Sequence, residues 1–355
     1  MTSIEDALES YPRISLTRLP TPLHALPHVS ARLGLSVSIK RDDLTDLVFG
    51  GDKPRKLEYE VAQALARGAD TLVTCGSSQS NHVRLTTAAA RKVGMHCAVV
   101  LSRDRYEGFQ GNLLTVYLMG ADVHLVESSD HWHLEQQALD LCQTLRSQGR
   151  TPHYIPVSGT TPHSCLGYVG CGLEIARQIA DQGLHPDAIY VPFGTGGIFT
   201  GLLLALRAKG MTCPLIGISV NRKREQCHES MQRWWAELCR LLACDPHLPR
   251  MPFEIDDDCI GREYGDPTEA CLDAIELVAQ TEGILLDPVY SGKVMAGLLA
   301  HHAGGRWPPG SQVLLLHSGG TPALFAYHAE IKAHLSKRGV STGSGEEQRV
   351  QQSTT

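Results

Sequence analysis

YVPFGTGGIFTG, residues 190–201, reads as an apolar strand, a glycine-rich turn and the start of a helix. Gly194, Gly196 and Gly197 let the backbone turn tightly and aim N–H groups outward, and the following helix adds its positive N-terminal dipole. Thr195 offers a hydroxyl. The natural guest is a phosphate. The same glycines can instead serve only to pack a helix closely on a strand, or can belong to a dinucleotide fold. The spacing is not GxGxxG, and the next strand ends at Asn221 and Arg222 with no acidic residue for a ribose. An arginine there suits NADP, so an NADP-dependent oxidoreductase is the alternative from a different class.

Outward from this segment the strand–turn–helix unit repeats. Strands are expected at 35–43, 70–76, 96–102, 122–127, 187–193, 214–220 and 312–318. Helices are expected at 56–68, 81–94, 111–120, 171–183, 197–210 and 267–283. Val-, Ile- and Leu-rich strands alternating with helices specify an α/β fold with parallel sheets covered on both faces. Ligands in such folds sit in the loops after the strands. Three of those loops, 49–56, 75–82 and 193–201, are rich in Gly, Ser and Asn. The polar run from Ser336 to the end, 336–355, is expected to be disordered.

The bulk properties narrow the function. The 355 residues are 42% hydrophobic and 20% charged, with a net charge of −6 and no basic block, which argues against nucleic acid as a partner. No apolar run is long enough to span a membrane, and the acidic start MTSIEDALESYPR lacks a secretory apolar region. Eleven cysteines, an odd number without a repeated CxxC, fit reduced thiols in a cytoplasmic protein. The closest pair is Cys239 and Cys244. Among 17 histidines, His131 with His133 and His301 with His302 lack helical metal-ligand spacing, so no metal site is expected.

FGGDKPRKLEYE, residues 49–60, is the most informative segment for chemistry. Lys53 on a flexible turn at a helix start can form a Schiff base, because nearby cations and the helix dipole lower a lysine's pKa. Taken alone, it reads first as an ordinary solvated basic helix start. GSSQSNHVR (76–84) supplies a second polar loop, in which Ser80, Asn81 and His82 cluster at a helix N-terminus. That arrangement can hold a carboxylate, and Ser80 or Asn81 can also act as a plain N-cap.

GGDKPRKLEY, GSSQSNH, GTGG, DPVYSGK (287–293) and HSGGTPALFAY (317–327), in that order, resemble the pyridoxal 5′-phosphate (PLP) enzymes of fold type II. The chain is most similar to the D-cysteine desulfhydrase and 1-aminocyclopropane-1-carboxylate (ACC) deaminase group. The resemblance runs from about residue 10 to 330 and implies two three-layer lobes related to the tryptophan synthase β fold. The small lobe is expected at 55–165 and the large, PLP-binding lobe at 1–54 with 166–335, with the cofactor between them. A homodimer is implied by the resemblance alone.

The resemblance implies that Lys53 is the Schiff-base lysine and Lys56 a phosphate-side lysine. It implies that Asn81 bonds the phenolic oxygen of PLP and that Ser80 lies near the substrate Cα as proton carrier and carboxylate contact; His82 is a substrate-contact candidate from its place in the polar cluster alone. The backbone of Gly194, Thr195, Gly196, Gly197 and Ile198 matches the phosphate cup. Tyr264 and Tyr290 match two active-site tyrosines, and Ser318 matches the hydroxyl residue facing the pyridine nitrogen. The implied reaction is β-elimination on a small amino acid, foremost D-cysteine, giving pyruvate, ammonia and sulfide. L-Cysteate, D-serine, β-chloroalanine and ACC are the other substrates weighed.

Five positions depart from the family pattern. Asp52 stands where Asn is usual, Ser291 where ACC deaminases have Glu, Ile198 where Thr is frequent, and Ser77-Ser78 where the loop is commonly apolar. The absence of Glu at 291 argues against ACC as substrate. The anion at 52 is expected to favour a charged Lys53.

Overall fold

The computed structural model describes residues 3–103, 108–128, 130–248 and 251–340. Among the described residues ten strands form two sheets: β1 (Leu23–Ala25), β2 (Ser36–Arg41), β3 (Thr71–Ser77), β4 (His96–Ser102), β5 (Asp122–Val126), β6 (Pro152–Tyr154), β7 (Ala188–Phe193), β8 (Leu215–Ser219), β9 (Phe253–Asp256) and β10 (Gln312–His317). One sheet has the order β1-β2-β10-β7-β8-β9 and the other β5-β4-β3-β6. Every pairing is parallel except that of β1 with β2.

The period-2 alternation of the strands explains why both faces are covered. In β10, Val313 and Leu315 join a core with Val37, Tyr190 and the helices Glu269–Glu282 and Ser291–Ala303. Leu314 and Leu316 point the other way, into a core with Ile175, Phe199 and Leu202. The smaller sheet repeats the pattern: Leu72, Val99 and Leu101 face one cluster, and Val73, Cys75 and Val100 another.

All seven strands expected from the sequence are present within a residue or two of their expected ends. Three short ones, β1, β6 and β9, were not expected. The helix expected at 56–68 starts earlier, at Lys53, with Pro54 in its first turn, where no intrahelical N–H is required. That shift puts Lys53 and Lys56 on one helical face, three residues apart. The helix His328–Lys337 runs into the segment expected to be disordered from Ser336. Residues 341–355 of that tail lie outside the described residues. Among the described residues no helix is long and apolar enough to cross a membrane, and no group of three or more His, Cys, Asp or Glu could hold a metal ion.

Candidate active site

Four parallel strands deliver the site from their C-terminal ends. After β2 the chain makes the short 3₁₀ turn Asp42–Leu44, then a loop in which Val48, Phe49, Gly50 and Gly51 all have positive φ, and enters the helix Lys53–Ala66. Arg84, fully buried, clamps this loop by donating to Val48 O at 2.6 Å and Gly50 O at 3.3 Å. Beyond β10 the chain touches the same loop: Asp52 N donates to Ser318 O at 2.9 Å. Gly51 and Gly319 are in backbone contact, so a Cβ on Gly319 (φ +87°) would meet Gly51 Cα at 2.5 Å. Only glycine permits that approach.

Lys53 and Asp52 are 8% and 6% exposed, and Lys53 Nζ donates to Asp52 Oδ2 at 2.6 Å. Its ammonium lies 6.0 Å from the centre of the Tyr290 ring. Tyr290 OH and Tyr264 OH are 2.5 Å apart. Burial, and then Tyr264, push the Tyr290 hydroxyl well above its ordinary pKa, so it stays protonated. Tyr290 is oriented from behind by Asp287. That buried carboxylate accepts from the backbone of Val289, Tyr290 and Ser291 and from Ser291 Oγ at 2.6–3.0 Å. Ser291 is thereby bound to Asp287.

Lys56, 3% exposed, donates to Thr160 Oγ1 at 3.0 Å. Thr160 Oγ1 lies 2.6 Å from Thr195 Oγ1, and Ser158 Oγ donates to Thr195 Oγ1 at 3.2 Å. These hydroxyls and the ammonium face the start of the helix Gly197–Ala208. That helix has Gly196 (φ 92°) at its cap and no side-chain cap. Trp234 Nε1 holds the loop from outside by donating to Thr195 O at 2.8 Å. Burial, then the nearby Lys53, push the Lys56 pKa down to about 8. A buried cation whose hydrogen-bond partner is a neutral hydroxyl, beside a helix N-terminus without a side-chain cap, suits an anion. The phosphate of PLP fits these residues in charge and in donors.

A Cβ on Gly197 would meet Thr160 Cγ2 at 2.9 Å, Cys165 Sγ at 3.1 Å and Lys56 Nζ at 3.3 Å. Gly197→Ala is expected to displace Thr160 and Lys56, costing about 1–3 kcal/mol of stability and weakening cofactor retention. Urea denaturation and dialysis against cofactor-free buffer measure the two effects.

Ser80 caps the helix Asn81–Lys92, accepting from Val83 N at 3.3 Å. Asn81 Oδ1 is fixed by Asn112 Nδ2 at 2.9 Å. The sequence reading set His82 beside them as a substrate contact. In the structure His82 is buried, with Nε2 2.8 Å from Thr74 Oγ1 and Nδ1 3.3 Å from Thr86 Oγ1. Burial, then Lys53 and Lys56, hold its pKa well below the ordinary value, so the ring is neutral and braces the loop.

Sequence reasoning missed Ser158, Thr160, Asn112, Arg84 and Trp234. The run SGTT at 158–161, between β6 and a helix, carried the same Ser/Gly/Thr signal as the three loops singled out. Asn112 and Trp234 lie within helices and gave no local signal.

Residues 14–319 match the family described as pyridoxal-phosphate dependent enzyme. The chain belongs to that family. The NADP-binding alternative falls with this match, and Arg222 is engaged elsewhere, donating to Ser230 Oγ at 2.7 Å. The chain is 40% identical over 334 residues to a D-cysteine desulfhydrase of Serratia proteamaculans, covering 93% of this chain and 100% of that protein. It is 39% identical over 332 residues to a D-cysteine desulfhydrase of Klebsiella pneumoniae, covering 91% and 98%. A solved ACC deaminase homologue superposes with a TM-score of 0.85 at 34% identity, covering 94% of this chain and 99% of that one. A solved threonine deaminase from T.th., at 21% identity and a TM-score of 0.64, shares the fold, covering 90% of this chain and 98% of that one.

Proposed function

We propose that the chain is a D-cysteine desulfhydrase that converts D-cysteine and water to pyruvate, ammonia and hydrogen sulfide. The observation that carries this reading is its 37–40% identity to D-cysteine desulfhydrases over nearly its whole length. Position 291 supports it: Ser291 is a neutral residue spent on Asp287, where an ACC deaminase would present an acid.

Lys53 would hold PLP covalently, Asn81 and Ser318 would hold its ring, and Lys56, Thr195 and the Gly194–Ile198 backbone would hold its phosphate. Bound there, PLP supplies an electron sink for the pair left when the Cα proton departs. Lys53 Nζ would take the Cα proton, with Asp52, to which it donates at 2.6 Å, stabilising the resulting ammonium. The helix start at Ser80 and Asn81 receives the substrate carboxylate. Tyr290, protonated and steadied by Tyr264, donates a hydrogen bond to the sulfur as the Cβ–S bond breaks.

The same reading includes a small lobe at 55–165, a large lobe at 1–54 with 166–335, and a cytoplasmic homodimer. The lobes are supported by the sorting of β3–β6 into one sheet and the other six strands into the second. The compartment is supported by eleven free cysteines.

Sulfide and pyruvate release from a panel of D- and L-cysteine, D-serine, β-chloroalanine, L-cysteate and ACC tests the function. D-Cysteine is expected to turn over fastest. A silent D-cysteine beside an active alternative contradicts the reading.

Lys56 gives the phosphate seat a pH dependence. Its folded pKa of about 8 lies below the ordinary 10.5, so the cost of burying its charge is full below about pH 8 and is relieved as pH rises toward 10.5. The protonated form is the one that holds phosphate. Cofactor affinity is therefore expected to fall above about pH 8, by up to roughly tenfold per pH unit. Lys56→Met should bind weakly at neutral pH and lose this added slope, as equilibrium dialysis of both proteins would show.

A further inference from the structure

The helix Arg224–Leu242 stops at a left-handed residue, Ala243 (φ 48°), and Cys244 N–H reaches back to Cys239 O at 3.2 Å. In this kind of helix stop the residue just past the left-handed turn touches the residue four before that turn, usually through two apolar side chains. Here both are cysteines, within one main-chain hydrogen bond of each other. Nine of the eleven cysteines are buried, and Cys244 and Cys259 are half-buried. Burial pushes Cys259 up to about 11, which leaves it a thiol. Interaction with Cys239 instead lowers Cys244, while the same interaction and burial raise Cys239. The pair thus combines an accessible attacking sulfur with a sheltered one beside it.

We propose that Cys239 and Cys244 form a redox-active dithiol that a small-molecule disulfide converts into an intramolecular disulfide. The Cys244 thiolate attacks one sulfur of the small disulfide, forms a mixed disulfide and expels one thiolate. Cys239, giving up its proton, attacks the Cys244 sulfur and expels the second thiolate. The two protein thiols are oxidised, the small disulfide is reduced to two thiols, and the two protein protons go to the departing sulfurs. The new bond spans a turn already closed by the main-chain hydrogen bond. It forms in an apolar cluster with Trp234 and Trp235 on the same helix.

The test incubates the full-length holoenzyme with oxidised glutathione, blocks remaining thiols and maps disulfides by mass spectrometry. The expected result is loss of two thiols, a Cys239–Cys244 bond, and recovery of both thiols with a reductant. Tryptophan emission should change in step, because Trp234 and Trp235 lie one to two turns from the pair. Cys239→Ser should accumulate a glutathione adduct on Cys244, and Cys244→Ser should leave Cys239 unmodified. Eleven intact thiols in the treated wild type overturn the proposal. So does a bond between other cysteines, or a stable adduct on Cys244 with Cys239 still reduced; neither reading depends on the variants folding.

Discussion

Lys53→Ala is expected to lose the visible absorbance of covalently held PLP and to lower turnover by a factor on the order of 10²–10⁴ from loss of the proton-transfer group alone. Lys53 is at the first helical position, buried, 2.6 Å from Asp52 and near the Tyr290 ring. Lys56, on the same helix face, points to Thr160 and the helix Gly197–Ala208. The two lysines thus have different partners, and the proposed roles differ with them. Lys56→Ala should keep the covalent link while weakening cofactor retention. Absorbance spectra of the two variants before and after gel filtration decide between them, and the opposite pattern would reverse the assignment.

Arg55→Ala is expected to destabilise the fold by about 3–5 kcal/mol, because it strands a buried charge. Arg55 points away from the lysines into an ionic network behind the site. It donates to Asp42 at 2.8 and 2.9 Å and to Glu174 at 3.0 Å. Thr21 and Tyr168 also donate to Asp42, and Lys40 pairs with Glu174. Burial alone would raise the Asp42 carboxyl, but the Arg55 charge and hydrogen bonds outweigh it and hold its pKa below the ordinary 3.8. A carboxylate lowered on folding stabilises the fold above its unfolded pKa, and that stability is lost as pH falls below it. The wild type should therefore lose this contribution only below about pH 4, whereas Arg55→Ala should already lack it at neutral pH. Asp42→Leu combined with Arg55→Met should recover part of the loss, since it removes both charges and leaves the Lys40–Glu174 pair intact. Urea midpoints of the three proteins measure this. A single variant within about 1 kcal/mol of wild type would show that the network contributes little.

The long strands were legible because their apolar runs fill both faces of a sheet, as Leu314 and Leu315 do for opposite cores. β1 and β6, of three residues each, are too short to show a period, and Pro152 argues locally against a strand. The helix start at Lys53 was obscured because Gly50, Gly51 and Pro54 all read as turn residues, and proline's tolerance of a first helical turn settles it only in three dimensions. The Gly194 loop was legible as a glycine-rich helix start, whereas Ser158 and Thr160, which meet Thr195 there, arrive from a different part of the chain. His82 could not be placed from its neighbours in sequence alone: its two threonine partners lie on β3 and on its own helix. Asp52 was legible as an anomaly, and the structure supplies its partner, the Lys53 ammonium.

Reduction of the holoenzyme with borohydride, followed by digestion and mass spectrometry, tests the central assignment most directly. The pyridoxyl group is expected on Lys53, in the segment GGDKPRK (50–56). A label on Lys56, on any other lysine, or on none would contradict it.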